Sequence, residues 1–294
     1  MKCPHYESRR KTTACLINRV KSELDNGALK KKTLVWLELN GCAGNIISIL
    51  DGVHPDFQYL ISEMADFVYS NSLMAAEGGD AIHQLFSVIG GDYVLAVEGA
   101  VSLLDNGAYT IIGKYNGRTI TGLEAVKMLG ENAEYVISVG ACATHGGVSA
   151  AVPNPTGCVG VQKVLENKRV IKLPGCPCNP DWFMGTFAHI LLYGEPPLDN
   201  RDRPLMFYST TIHDQCPRLI YFNQGIFATK LGEETCMFKL GCRGPVTRTD
   251  CPVRQWNNHV NWPIGDDSNC IGCAQFGFPD AMEPFISYDT TRGD

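Results

Sequence analysis

Tyr135-Val136-Ile137-Ser138-Val139-Gly140-Ala141-Cys142 is the stretch on which the fold turns. Its first five residues form a short, largely apolar run, with Val136, Ile137 and Val139 β-branched. Such a run predicts a strand buried on both faces, as in a parallel sheet. It stops at a glycine and delivers a cysteine just past its end. The pattern recurs on either side. Leu34-Val35-Trp36-Leu37-Glu38-Leu39 stops at Asn40-Gly41-Cys42, and Tyr93-Val94-Leu95-Ala96-Val97 stops at Glu98-Gly99. Arg169-Val170-Ile171-Lys172-Leu173 stops at Pro174-Gly175-Cys176. Apolar spacing predicts helices over Asp56–Tyr69, Thr121–Leu129, Val161–Glu166 and Trp182–Tyr193. This alternation predicts an α/β fold with a doubly wound parallel sheet over residues 33–200. Cys42, Glu98, Cys142 and Cys176 then share the carboxyl edge of one sheet, where open α/β sheets bind ligands.

Outside that span the pattern changes. Residues 1–32 read as a polar extension, with Lys30-Lys31-Lys32 as a solvated charge run. Residues 201–294 are turn-rich and irregular yet hold six cysteines, so metal centres are a natural source of their order. Ser8-Arg9-Arg10 could open a twin-arginine export signal, but no long apolar segment follows it. The expectation is therefore a cytoplasmic, reducing setting.

Composition narrows the classes further. Across 294 residues, 25 Lys and Arg against 31 Asp and Glu give a net charge of −6, a poor basis for sequence-independent nucleic-acid binding. No apolar run approaches the roughly 20 residues of a transmembrane helix. The 13 cysteines cannot all pair, and in a long chain with 45% hydrophobic residues they read as metal ligands more readily than as a disulfide scaffold.

The cysteines fall into three sets. Cys42, Cys142 and Cys176 share the strand-end position. His213, Cys216, Cys236 and Cys242 make a complete four-ligand set, which spacing alone assigns equally to zinc or to an iron–sulfur cube. Cys251 with Cys270-Ile271-Gly272-Cys273 supplies only three thiols, a poor fit to structural zinc and a good one to a cuboidal cluster lacking one iron. Cys3, Cys15, Cys158 and Cys178 lie outside these sets, the first two as expected bystanders.

From about Leu34 to Phe285 the sequence resembles the small subunit of nickel–iron hydrogenases. The matching stretches include Ala96-Val97-Glu98-Gly99-Ala100-Val101, Gly140-Ala141-Cys142-Ala143-Thr144-His145-Gly146-Gly147 and Pro174-Gly175-Cys176-Pro177. Further on come His213-Asp214-Gln215-Cys216-Pro217-Arg218, Gly241-Cys242-Arg243-Gly244-Pro245 and Asp280-Ala281-Met282-Glu283-Pro284-Phe285. The resemblance implies a flavodoxin-like domain carrying a proximal [4Fe-4S] cluster on Cys42, Cys142 and Cys176. It implies a distal [4Fe-4S] cluster on His213, Cys216, Cys236 and Cys242, and a medial [3Fe-4S] cluster on Cys251, Cys270 and Cys273. The Ni-Fe centre would lie in a partner large subunit, and this chain would relay electrons between it and an unidentified acceptor.

Two departures stand out. The family's Cys-x-x-Cys reads Cys42-Ala43-Gly44-Asn45 here, as in cyanobacterial-type uptake hydrogenases, while His213 is retained as in the periplasmic enzymes. The fourth proximal ligand could be Asn45, Cys178 or Glu98, or the cluster could hold three irons; a four-iron cluster with an unusual fourth ligand is the expectation. Gly41 stands where many relatives have glutamate, and Gly44 and Ala150 stand where a six-cysteine proximal cluster has its extra thiols. The competing functions are a hydrogen sensor of the same fold, a subunit of a complex I-like quinone reductase, and a zinc-stabilised binding module.

Overall fold

The computed structural model describes residues 9–284 and 286, without the side chains of residues 9–11; Cys3 and Ser8 lie outside the described residues. The apolar runs become the inner strands of one parallel sheet. Its members are β1 (Lys32–Glu38), β2 (Ala65–Ser70), β3 (Tyr93–Glu98), β4 (Tyr135–Val139) and β5 (Val170–Leu173). Their spatial order is β2-β1-β3-β4-β5, the flavodoxin-like doubly wound order. The register pairs Glu38 with Glu98 and Glu98 with Val139, so three strands end level with one another. The chain reverses its direction of strand addition between β1 and β3, which makes their carboxyl ends the switch point.

Alternate strand residues feed two cores. Leu34, Trp36, Val94, Ala96, Ile137, Ile171 and Leu173 face one, and Val35, Leu37, Tyr93, Leu95, Val97, Val136 and Val170 face the other. Helix α1 (Arg9–Asp25), α2 (Gly44–Leu50) and the later α6 (Pro180–Tyr193) lie on the first face. Helices α3 (Gly78–Phe86) and α4 (Gly122–Asn132) cover the second, and α5 (Gly140–His145) follows β4 directly. Thr121 and Glu124 form a full capping box that starts α4.

Three expectations need correction. Asp56–Tyr69 is not one helix. A helical turn (Phe57–Tyr59) and a π-helical turn (Leu60–Met64) give way to the edge strand β2. Pairing with β1 decides the matter, because Phe67, Val68 and Tyr69 satisfy helical and strand spacing alike. Val161–Glu166 contains only a short 3-10 turn, Val161–Lys163. The supposed polar extension carries α1, whose Leu16 and Val20 are buried in the first core against α6. Cys15 on that helix is disulfide-bonded. The hairpin of Ile111–Tyr115 and Arg118–Thr121, and α3, were not foreseen.

The segment after residue 200 adds no core of its own. Met206, Phe207, Tyr208, Ile212, Trp262 and Ile264 bury in the same cluster as Trp36 and Phe183. A fully buried arginine, Arg254, ties it there. Its guanidinium donates to Asp250 Oδ2 at 2.8 and 3.0 Å, to Asp181 Oδ2 at 2.7 Å and to Thr13 Oγ1 at 3.3 Å. Trp182 Nε1 donates to the other Asp250 oxygen at 2.8 Å, and the Phe207 ring lies 4.9 Å from the guanidinium carbon. Burial alone would lower the pKa of Arg254, but Asp250 and Asp181 outweigh it and raise it. Among the described residues, no helix is long and apolar enough to cross a membrane.

This packing sets the response to mutation and to pH. Leu16→Ala removes a side chain only 4% exposed and should lower the thermal midpoint by about 5 °C, whereas Glu23→Ala on the same helix should leave it in place. His145 ends α5, with its Nε2 buried and lacking a hydrogen-bond partner. Burial, aided by Arg201, Arg203 and Lys172, pulls its pKa from 6.5 down to about 4. The unfolded chain takes up that proton first, so the folded state should lose up to about 3 kcal/mol as pH falls from about 6.5 to 4. Melting curves across that range should be flatter for His145→Gln than for the natural chain.

Candidate metal centres

The three cysteine sets occupy three connected places. Cys42 follows β1, where Asn40 bridges to Ala100 just beyond β3. Cys142 lies in the short helix α5, and Cys176 follows β5. Cys42 and Cys176 are exposed and Cys142 is half-buried. Ser149 Oγ donates to the Asn40 carbonyl at 2.8 Å and lies 3.6 Å from Cys142 Sγ, which holds the 147–150 turn beside that thiol. A Cβ at Gly44 would approach Cys42 Sγ to 2.9 Å, so the bare backbone leaves the sulfur room. Although Cys176 reaches the surface, the desolvating packing around it pushes its thiol up to about 12, with Cys273, Cys142 and Cys42 each adding to the rise. A thiol raised in this way ionises readily only with a cationic group beside it.

Beneath this edge sits the Glu98 carboxylate, 1% exposed. It accepts from the backbone N–H groups of Asn45 and Ile46 at 2.7 and 3.0 Å, from Asn45 Nδ2 at 2.9 Å and from Trp36 Nε1 at 3.1 Å. Burial raises its pKa, and these four bonds offset only part of the rise. The first turn of α2 thus ends on a carboxylate, which suits the positive end of a helix. Asn45 Oδ1 accepts in turn from the Cys178 backbone N–H at 2.8 Å. Cys178 itself is fully buried, with Sγ 3.5 Å from the Asn179 carbonyl.

Cys251, Cys270 and Cys273 border a cavity of about 610 Å³ that also reaches Cys176 and Pro263. Burial pushes the Cys251 thiol up to about 12, with Cys273 adding to it. Thr249 Oγ1 lies 2.8 Å from Cys251 Sγ in donor geometry and accepts the Cys251 backbone N–H at 3.1 Å. Cys251 opens the turn that Arg254 anchors, so the buried ion network also fixes this thiol.

His213, Cys216, Cys236 and Cys242 line one pocket together with Arg218 and Ile264. Arg218 donates to the carbonyls of Glu233 and Thr235 at 2.8 and 3.1 Å and pairs with Asp267, which sets the Cys216 turn opposite Cys236. The His213 ring stands edge-on to Phe222 at 4.5 Å. Gly244 N–H donates to Cys242 Sγ at 3.4 Å. Burial raises the thiols of Cys216, Cys236 and Cys242.

The sites abut in sequence. Cys176 borders the cavity of Cys251, Cys270 and Cys273 at the first junction. Arg243, next to Cys242, donates its backbone N–H to the Cys270 carbonyl at 2.8 Å. Among the described residues, no three His, Cys, Asp or Glu side chains converge on a point that would hold one metal ion. Cys251, Cys270 and Cys273 instead line one space and His213, Cys216, Cys236 and Cys242 another, as donors around a polyatomic iron–sulfur cluster do, and the cysteine-rich donor chemistry fits such a group. Sequence reasoning missed Thr249, Ser149 and Arg254. Thr249 acts locally, two residues before Cys251, in a spacing that matches no motif, whereas Ser149 and Arg254 also reach partners distant in sequence.

Comparison with known proteins agrees with this architecture. Residues 42–190 match the family model described as NADH ubiquinone oxidoreductase, 20 Kd subunit, and residues 208–286 match the C-terminal family model of the NiFe/NiFeSe hydrogenase small subunit. The second match separates the chain from quinone reductases, which the first alone would not do. The periplasmic [NiFeSe] hydrogenase small subunit of Desulfomicrobium baculatum is 34% identical, covering 87% of each chain. The periplasmic [NiFe] hydrogenase small subunit of Solidesulfovibrio fructosivorans is 35% identical, covering 88% of this chain and 82% of that one. A crystal structure of the H2-activated Dm. baculatum [NiFeSe]-hydrogenase superimposes with a TM-score of 0.83 at 33% identity, covering 88% of this chain and 99% of that one.

These relatives overturn the cytoplasmic expectation, since both are named as periplasmic. Compartment is written in an address separate from the folded core, so core patterning carried no information about it. The two family models, the shared fold and the identity over most of the chain together lead to one assignment: the chain belongs to the small-subunit family of the nickel–iron hydrogenases, oxidoreductases in which it pairs with a large subunit.

Proposed function

We propose that the chain is the electron relay of a heterodimeric hydrogenase, carrying electrons between the Ni-Fe centre of its partner and an external acceptor. The contiguity of the three cysteine sets supports this reading above all: Cys176 borders the same cavity as Cys251, Cys270 and Cys273, and the N–H of Arg243, the residue after Cys242, donates to the Cys270 carbonyl at 2.8 Å. Residues 33–200 would carry the proximal site on Cys42, Cys142 and Cys176. Residues 201–294 would carry a medial [3Fe-4S] site on Cys251, Cys270 and Cys273 and a distal [4Fe-4S] site on His213, Cys216, Cys236 and Cys242. Iron–sulfur clusters, when bound, supply one-electron transfer. The chain's own residues would hold them in line, exclude water from the medial one and set their potentials through burial and hydrogen bonds to sulfur. Cys251 and Cys270 are buried, whereas His213 and Cys216 are only half-buried, which makes the distal site the natural exit.

The test uses the heterodimer purified without oxygen. It should carry about one nickel per complex and reduce a viologen dye with hydrogen. Absence of both would reject the assignment. In Cys251→Ser, hydrogen–deuterium exchange at the partner's centre should persist while dye reduction falls by about a factor of ten or more. Equal loss of both activities would count against a relay.

Thr249 offers a finer check. A hydroxyl donated to a ligand sulfur stabilises the more negative, reduced cluster and so raises its potential. Thr249→Val should therefore move the medial midpoint to a more negative value in a redox titration followed by electron paramagnetic resonance. An unmoved midpoint would show that the hydroxyl points elsewhere.

A further inference from the structure

A proximal four-iron cube needs a fourth ligand beyond Cys42, Cys142 and Cys176, and the three candidates the sequence offers, Glu98, Cys178 and Asn45, are each already committed. Glu98 accepts two hydrogen bonds on each oxygen, and turning it outward would orphan the start of α2 and the Trp36 indole. Cys178 is fully buried among core residues. Its backbone leads into Asn179, which caps α6 through Asp181 N–H at 3.0 Å and donates to the Gln255 carbonyl at 2.8 Å. Bringing the Cys178 sulfur to the surface would unseat that cap.

Asn45 is the instructive case. Its Nδ2 donates to Glu98 at 2.9 Å, and its Oδ1 accepts from Cys178 N–H at 2.8 Å. The seat of the amide is built for it. A Cβ at Gly140, where φ is +85°, would lie 2.4 Å from Asn45 Oδ1 and 2.5 Å from Nδ2, so the end of β4 stays bare to admit it. The span needs one donor and one acceptor on a short side chain. Aspartate would set a second carboxylate against Glu98, and cysteine would leave both partners unmet. A neutral amide oxygen is also a hard donor, poorly matched to cluster iron.

We propose that Asn45 is a positioning residue that joins Glu98 to the Cys178 main chain, leaving the proximal site with three thiolates, the donor set of a cuboidal three-iron cluster. This rests on the hydrogenase reading above and replaces the expected four-iron proximal cube with a second three-iron cluster beside the medial one. An oxidised three-iron cluster carries an unpaired spin, and an oxidised four-iron cluster of the ordinary kind does not.

The experiment is spin quantitation by electron paramagnetic resonance on the oxidised, nickel-bearing heterodimer, with iron measured on the same sample. The natural complex should integrate to about two three-iron spins, with about ten irons in this chain. Asn45→Cys should lower the spin count to about one and add about one iron, by supplying the missing thiolate. Asn45→Ala should keep about two spins in whatever folded complex it forms, because no ligand is lost. About one spin and eleven irons in the natural complex, or a rise from one spin to two in Asn45→Ala, would overturn the inference. The natural-complex measurement stands even if neither variant folds. A nickel-bearing, hydrogen-oxidising complex with one spin defeats this inference alone, whereas a chain without nickel or partner defeats the functional reading whatever its spin.

Discussion

The buried guanidinium of Arg254 is the contact on which the architecture turns. It is reached by α1 through Thr13, by α6 through Asp181 and by the later segment through Asp250. Charges this far from water are costly to bury, and the network answers the cost by pairing the arginine with two carboxylates and adding an indole donor to Asp250. Geometry is what this arrangement secures, more than stability. It fixes the turn that starts with Cys251 against a helix of the sheet domain, so a metal-binding segment of little regular structure inherits the rigidity of an α/β core.

A second constraint operates at the switch point. In an open α/β sheet the ends of the first and third strands leave a crevice that other proteins give to a cofactor. Here Glu98 fills its floor and receives the first turn of α2. The loop that bears Cys42 is thus held from below by a carboxylate and bordered by Gly44, while Cys142 and Cys176 arrive from the next two strands. Flavodoxin-like topology brings these thiols together without any of them being near in sequence.

Much of this was legible in the amino-acid order alone. The four strand ends and the three cysteine sets were read from apolar runs and spacing, because buried parallel strands and metal ligands both leave local signatures. The edge strand β2 was misread, since a half-buried strand next to a helical turn satisfies either period. Helix α1 was read as polar extension because only Leu16 and Val20 carry its contact, too thin a stripe to register against its charges. Thr249 left no trace because its contact with Cys251, two residues on, matches no motif, and the role of Arg254 was hidden because Asp181 and Thr13 reach it only through tertiary folding. The role of Asn45 was open from sequence because the choice depends on which groups stand opposite its amide, Glu98 and the Cys178 backbone.

Accessibility divides the three sites unequally. Cys270 and Cys251 are enclosed by this chain, but Cys42 and Cys176 stand open on its surface. A cluster on those two sulfurs would have a wall that this polypeptide does not build. Its hydration, its potential and its lifetime in air would then be properties of the interface, fixed only when the large partner docks over it. Maturation would then have a direction: sites enclosed by this chain could be finished on it alone, and the exposed one only by assembly.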